Sequence, residues 1–282
     1  MNLIRNIFRM MRPVQWLKNL MLFFPPFLAG QILLPGIVVK GLVPFCSFCL
    51  VSSAGYIFND LIDRNRDLHH PQKRSRPITS GEVGIQAAIL LSAVLLVSGL
   101  SLAGTVTLRF LLLLLGYILV SLLYSLILKN LPVVDLFCIS AVFLIRLQAG
   151  SEFFQVPISP LLFLTVFLLA VFLSTGKRLS EFHSLGDMAG QHRLSLARYP
   201  KGFLDGAMYM TGSAVLVTYA MYALNRHALI YSVPLCMFGL LRFMLRVNSG
   251  KGGDPTESLL KDRLLFPVGV LWVMMVFWSI YP

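Results

Sequence analysis

Long apolar runs alternate with short polar breaks along almost the whole chain. Within each run the apolar residues are continuous and do not alternate with polar ones. The pattern therefore predicts helices rather than strands. Nine runs approach or exceed the ~20 residues that a helix needs to cross a bilayer core of ~30 Å. They lie near 15–34, 37–60, 85–103, 106–128, 132–151, 158–176, 203–224, 228–247 and 264–281. The breaks carry Pro35-Gly36, Gly104, Asn130-Leu131-Pro132, Pro157 and Asn225-Arg226-His227, residue types that interrupt helices. Pro25 and Pro26 fall inside the first run, so that helix should kink and pass its freed carbonyls to neighbours. Arg5, Arg9 and Arg12 precede this run, but it is long and lacks an A-x-A cleavage site, so no cleavable signal peptide is expected. The expected fold is an all-α polytopic membrane protein with nine transmembrane helices, forming one membrane-embedded domain over residues 1–282.

Composition agrees. Of 282 residues, 57% are hydrophobic and 13% charged, and mean hydropathy is +0.77. Soluble domains carry about 25% charged residues, so a disordered chain and an ordinary soluble enzyme are both excluded. The net charge of +12 would suggest nucleic acid in a soluble protein. Here it is topological, and no nucleic-acid partner is expected. With the N-terminus placed in the cytoplasm, all basic residues except Lys40, Arg109, Arg146 and Arg226 fall at the cytoplasmic side. The positive-inside rule supports that orientation, in a bacterial-type inner or plasma membrane. Cys46, Cys49, Cys138 and Cys236 all lie within the runs, where a small apolar role is expected and no disulfide.

The acids need a separate explanation. All except Glu152 lie on the cytoplasmic side or at cytoplasmic helix ends, which suggests a polar active-site cavity facing the cytoplasm. The first cluster runs Asn59-Asp60-Leu61-Ile62-Asp63-Arg64-Asn65-Arg66-Asp67. If the second helix continues through it, Asn59, Asp60, Asp63 and Asp67 share one arc of roughly 100°. Such a face needs a cation, and hard oxygen ligands suit Mg²⁺. The plainer alternative is a solvated helix end neutralised by Arg64 and Arg66. Downstream lie His69, His70, Lys73, Arg74 and Arg76. These bases suit a phosphorylated substrate and also serve as a topology signal; the two histidines lack a third ligand.

A second cluster ends the sixth run: Gly176-Lys177-Arg178-Leu179-Ser180-Glu181. Lys177 and Glu181 are spaced to share a helix face. The loop continues through Asp187, His192, Arg193, Arg198, Tyr199 and Lys201; at about 26 residues it is long for a simple connector. A third polar segment, 250–263, has flexible glycines and then a helix start with Pro255 in its first turn, either a lid or a connector. Asp135 and Arg146 are ~16 Å apart along one helix and cannot pair. A buried arginine should face the bundle interior, either as a structural group or as an anion contact.

The Asn59, Asp60, Asp63 and Asp67 motif resembles the Asn-Asp-x-x-Asp-x-x-x-Asp signature of the UbiA superfamily of intramembrane prenyltransferases. That resemblance implies a nine-helix bundle. The aromatic prenyltransferases of the superfamily carry a second Asp-x-x-x-Asp motif, where this chain has Lys177 and Glu181. The departure resembles a branch of decaprenyl-phosphate phosphoribosyltransferases. Shared stretches are Arg12-Pro13-Val14-Gln15-Trp16-Leu17-Lys18-Asn19, the acid motif with its Lys73-Arg74-x-Arg76-Pro77 tail, Gly176-Lys177-Arg178-x-x-Glu181, Arg198-Tyr199, Gly253-Asp254-Pro255-Thr256-Glu257 and Asp262-Arg263.

The resemblance implies transfer of 5-phosphoribose from phosphoribosyl diphosphate to a polyprenyl phosphate. Asn59, Asp63 and Asp67 would hold Mg²⁺, with Asp60, Lys177 and Glu181 in catalysis. Arg12, Gln15, Lys18, Asn19, Lys73, Arg74, Arg76, Arg146, Lys177 and Arg178 would contact substrate. Two alternatives stand beside it: prenyl transfer from a prenyl diphosphate to an aromatic or other acceptor, and a non-enzymatic lipid transporter or lipid-binding protein.

Overall fold

The computed structural model describes residues 2–68, 73–185, 194–224, 226 and 228–281. His69 and His70, the loop residues Asp187, His192 and Arg193, and Asn225 and His227 of one expected break lie outside the described residues. Every regular element among the described residues is helical. In chain order these are α1 (Asn2–Met11), a 3₁₀ helix (Pro13–Phe23), α2 (Phe24–Leu28), α3 (Ile37–Asp67), α4 (Ile85–Gly104), α5 (Leu108–Leu126), α6 (Val134–Phe154), α7 (Pro160–Leu185), α8 (Leu194–Ala197), α9 (Phe203–Leu224), α10 (Val233–Asn248), α11 (Pro255–Lys261) and α12 (Leu265–Ile280).

Among the described residues, seven helices are long and apolar enough to cross a membrane, or eight if α11 and α12, bent by 96° at the break between them, form one broken span. Of the nine expected spans, the first and the last do not stand as single long apolar helices among the described residues. Residues 13–23 are 3₁₀ and the chain turns between Leu28 and Ile37, so the first run is no single α-helix. The 3₁₀ form suits its sequence. Trp16, Asn19 and Leu22 turn inward while Val14, Leu17 and Leu20 are exposed, a period of three that matches three residues per turn. Trp16 Nε1 donates to Ser53 Oγ at 3.0 Å and Asn19 Nδ2 to Ser52 Oγ at 3.4 Å, fixing this segment along α3.

The helices assemble two compact units, each built from segments distant in sequence. The first comprises residues 1–26, 32–129 and 145–156; the second comprises 27–31, 130–144 and 157–282. In the first unit α3 is the spine. At 31 residues it is ~46 Å long, well beyond a ~30 Å hydrocarbon core. Its last turns, which carry the acid motif, therefore project past the apolar zone. Close packing against α4 depends on Gly99, where an added Cβ would fall 2.7 Å from Val51 Cγ2; Ser47 Oγ donates to the Gly99 carbonyl at 2.8 Å. A cluster of Met10, Ala54, Ile57, Ile78, Val83, Ala88 and Leu95 closes this end.

In the second unit, Phe172, Leu179, Tyr199, Leu204, Met208, Val215, Leu240, Phe243 and Val247 form the core. Gly253 lets the 250–255 segment lie directly on α7: a Cβ there would come within 2.5 Å of the Gly176 carbonyl. Asp254 then caps α11, accepting from Glu257 N at 3.2 Å, with Pro255 in the first turn as expected. At the α11–α12 break, Arg242 Nε and Nη2 donate to the Asp262 carboxylate at 3.0 and 3.1 Å. These bonds, and the backbone amides of Leu264 and Leu265, hold Asp262 well below the usual carboxylate range.

Candidate active site

Asn59, Asp60, Asp63 and Asp67 all lie on the α3 helix, as the continued-helix expectation required. Asp60 and Asp67, two turns apart, share Arg76: its Nη1 donates to Asp60 Oδ1 at 2.8 Å and to Asp67 Oδ2 at 2.5 Å. Arg12 Nη2 reaches both Asp60 oxygens at 2.6 and 2.7 Å, and its guanidinium stands 5.2 Å from the Tyr56 ring centroid. Asn59 and Asp63, one turn apart, share Lys129: Nζ donates to Asp63 Oδ1 at 2.6 Å and to Asn59 Oδ1 at 3.4 Å. Charge compensation for this face thus comes from Arg12, Arg76 and Lys129, three bases remote in sequence. Arg66, offered as a local neutraliser, is exposed. Lys73 and Arg74 begin the 3₁₀ turn before Arg76, and Arg74 is exposed.

On sequence, Lys129 counts only among the bases expected at the cytoplasmic side. It is buried, and a buried ammonium requires a partner. The available hint was a lone base in the short break between two apolar runs.

Among the described residues, no group of three or more His, Cys, Asp or Glu forms a ready-made metal site. The donors nonetheless fit a hard cation. Asn59 Oδ1 and Asp63 Oδ1 converge on the Lys129 ammonium, which stands in for a positive ion between two oxygen donors. Both are the hard oxygen type that Mg²⁺ selects. Asp67 is engaged by Arg76 through Oδ2 rather than by Lys129.

Two other expected substrate contacts are engaged inside the fold. Asn19 is fully buried and accepts from Arg146 Nε at 2.7 Å. Arg146 Nη2 donates to Tyr117 OH at 3.1 Å, and the guanidinium lies 4.6 Å from that ring centroid. These contacts tie α6 to the 3₁₀ segment and to α5. Gln15 and Lys18 remain partly exposed.

In the second unit, Lys177 and Glu181 do not pair with each other. Lys177 Nζ meets Asp254 Oδ2 at 3.3 Å, and Glu181 Oε2 accepts from Arg178 Nη1 at 2.6 Å. Arg178 is 1% exposed, and its Nε donates to the fully buried Asp135 at 2.7 Å. Tyr199 OH donates to Asp135 Oδ1 at 2.8 Å and accepts from Val133 N at 2.6 Å. That second bond steadies a β-branched residue at φ 66°, a rare and strained conformation. Burial first, then the adjacent Asp135 carboxylate, pushes the Tyr199 phenol above its ordinary range. Arg178, expected as a phosphate contact, is therefore held between two carboxylates. Its signal was hidden because Asp135 is 43 residues away in sequence.

Together the fold and the acid face define a multi-pass, all-helical membrane protein with an acidic motif on a helix that outruns the apolar layer. The model of the UbiA prenyltransferase family matches residues 23–280, and the chain belongs to that family of transferases. It is 30% identical to the decaprenyl-phosphate phosphoribosyltransferase of Mycolicibacterium smegmatis, over 99% of this chain and 94% of that protein. It is likewise 30% identical to the protein of that name from Mycobacterium tuberculosis, over 98% and 94%. Among solved structures it resembles a UbiA homolog from Archaeoglobus fulgidus bound to GPP and Mg²⁺, with TM-score 0.75, 21% identity, and 98% and 100% of the two chains covered. That likeness supports the fold. Membership of a transferase family sets aside the non-enzymatic transporter reading.

Proposed function

We propose that the chain is a single-domain transferase that moves 5-phosphoribose from phosphoribosyl diphosphate to a polyprenyl phosphate, releasing diphosphate. In this reading it sits in a bacterial-type inner membrane with the N-terminus and active site cytoplasmic. The observation that carries it is the acid face of α3 interleaved with Arg12, Arg76 and Lys129, alongside 30% identity to named phosphoribosyltransferases over nearly the full length.

Asn59, Asp63 and Asp67 would hold Mg²⁺, which when bound supplies charge neutralisation for a diphosphate leaving group. Asp60 anchors Arg12 and Arg76 at the edge of that face, where guanidiniums suit phosphate oxygens. Lys73 and Arg74 add cationic contacts from the adjacent turn. Lys177, where a carboxylate stands in aromatic prenyltransferases, is assigned to phosphate. Glu181, oriented by Arg178, is assigned to a ribose hydroxyl. A phosphate monoester acceptor is already anionic and needs positioning beside the anomeric carbon more than a strong general base.

The test is a radiolabelled phosphoribose assay with purified protein, Mg²⁺ and a polyprenyl phosphate. Wild type should give a labelled lipid, and an Asp63→Ala/Asp67→Ala variant should fall by at least about a hundredfold. Full activity in that variant would sink the mechanism. Prenylated product from geranylgeranyl diphosphate and an aromatic acid, without phosphoribosyl transfer, would establish the prenyl-transfer alternative.

A further inference from the structure

Helix α1 is amphipathic, and only part of its apolar surface is used by the fold. Ile7, Met10 and Met11 pack against the α3 cluster around Ala54 and Ile57. Ile4 and Phe8 stay 66% and 55% exposed, beside the exposed Arg5 and Arg9. The chain then reverses at Arg12, whose φ of 53° is left-handed, so α1 and the 3₁₀ helix diverge. Between them lies an open surface groove of about 630 Å³. Phe8, Val14 and Gln15 line it together with Arg5, Arg9 and Arg12, and no acidic residue does.

The charge pattern selects an amphiphile. Arg9 already reaches Glu82 at 2.7 Å and the Ser75 carbonyl at 2.5 Å, and Arg12 reaches Asp60. Three guanidiniums against two carboxylates leave the rim cationic. The floor is apolar, and Val14 and Leu17 continue it along the exposed 3₁₀ face. An exposed apolar stripe flanked by arginines is the form of an interfacial helix. Guanidinium pairs bind phosphate oxygens in a bidentate manner, which ammonium groups do not. A phosphate head with a single hydrocarbon chain satisfies both parts of the groove.

We propose that this groove is the docking port for the phosphate head of the polyprenyl phosphate acceptor, with Phe8 and Val14 against the first isoprene units. The inference rests on the acceptor named above. It moves the head group away from Asn19, which is buried against Arg146, and toward Arg5 and Arg9. Arg12, shared by the groove and by Asp60, connects the port to the acid face.

The test uses the full chain in neutral phosphatidylcholine nanodiscs, with polyprenyl phosphate, polyprenol, phosphatidylglycerol and inorganic phosphate as separate probes. Wild type should bind polyprenyl phosphate at least about tenfold tighter than polyprenol, the gain of one charge-assisted contact or more. Arg5→Gln/Arg9→Gln should erase that difference. Because Arg9 also holds Ser75 and Glu82, Arg5→Glu alone is the second variant; it removes no contact shown within the fold and should weaken binding about threefold.

Unchanged binding in both variants overturns the port. So does equal competition by phosphatidylglycerol or inorganic phosphate. Tight lipid binding without phosphoribosyl transfer would defeat the proposed function and leave the port standing. Phosphoribosyl transfer with an unaltered lipid KM in the variants would defeat the port alone.

Discussion

Replacing Lys129 with Met tests whether the acid face depends on an internal cation. The Lys129 side chain is 4% exposed and Asp63 16%, with 2.6 Å between Nζ and Oδ1. At an effective dielectric of ~20 the Coulomb attraction is about 6 kcal/mol. Desolvating an ammonium returns several kcal/mol of that, so the net worth of the pair is modest. Removing one partner is a different perturbation, because Asp63 is then left beside Asp60 and Asp67 with its nearest base gone. Complete burial would cost about 3–5 kcal/mol; the partial exposure of Asp63 lowers the expectation to about 2–3 kcal/mol.

At ~2–4 °C per kcal/mol for a chain of a few hundred residues, Lys129→Met should melt roughly 4–12 °C below wild type without divalent ions. The assay is thermal unfolding in detergent with and without Mg²⁺. Magnesium should restore more stability to the variant than to wild type, because no ammonium competes for Asn59 and Asp63. Equal melting temperatures without metal, or an identical magnesium response, would refute the reasoning.

Two further substitutions probe the second unit. Asp135→Asn leaves Arg178 with Glu181 as its remaining carboxylate partner; it should cost about 1–3 kcal/mol, read as a lower melting temperature in detergent, and a wild-type melting curve would show that the pair is dispensable. Lys177→Asp removes a cation and sets a carboxylate against Asp254; phosphoribosyl transfer should fall at least about tenfold, and retained kcat/KM for phosphoribosyl diphosphate would remove Lys177 from substrate binding.

The apolar runs made the helices legible because a lipid-facing helix must be apolar along its whole length, and seven runs correspond to helices long enough to span. The ends of the chain were less legible. A 3₁₀ helix and an α-helix draw on the same residues, and only the period of three in Val14, Leu17 and Leu20 against Trp16, Asn19 and Leu22 separates them. The 96° bend before α12 depends on Arg242 and Asp262, an ion pair that hydropathy does not register. The helical placement of the acid motif was legible, since its spacing is the helical repeat itself. Its partners were not, because Arg12, Arg76 and Lys129 reach it across 48, 16 and 66 positions, and a base outside the apolar runs looks the same whether it orients the protein or neutralises a carboxylate.

The two roles of the basic residues are linked by cost. An acidic helix end near a membrane is tolerable only if its charge is matched, and a matched site is inert until the matching groups let go. Arg76 bridges Asp60 and Asp67, and Lys129 bridges Asn59 and Asp63, so the four side chains are held in two separate pairs, one of two acids and one of an acid with an amide. A substrate carrying several phosphates, arriving with a divalent ion, can satisfy both sides of each bridge at once: the ion takes the carboxylates and the phosphates take the guanidiniums and the ammonium. A metal alone must strip Arg76 and Lys129 of their partners, and an anion alone must strip the acids. On the proposed function, joint entry of metal and phosphorylated donor would satisfy these bridges better than either one separately.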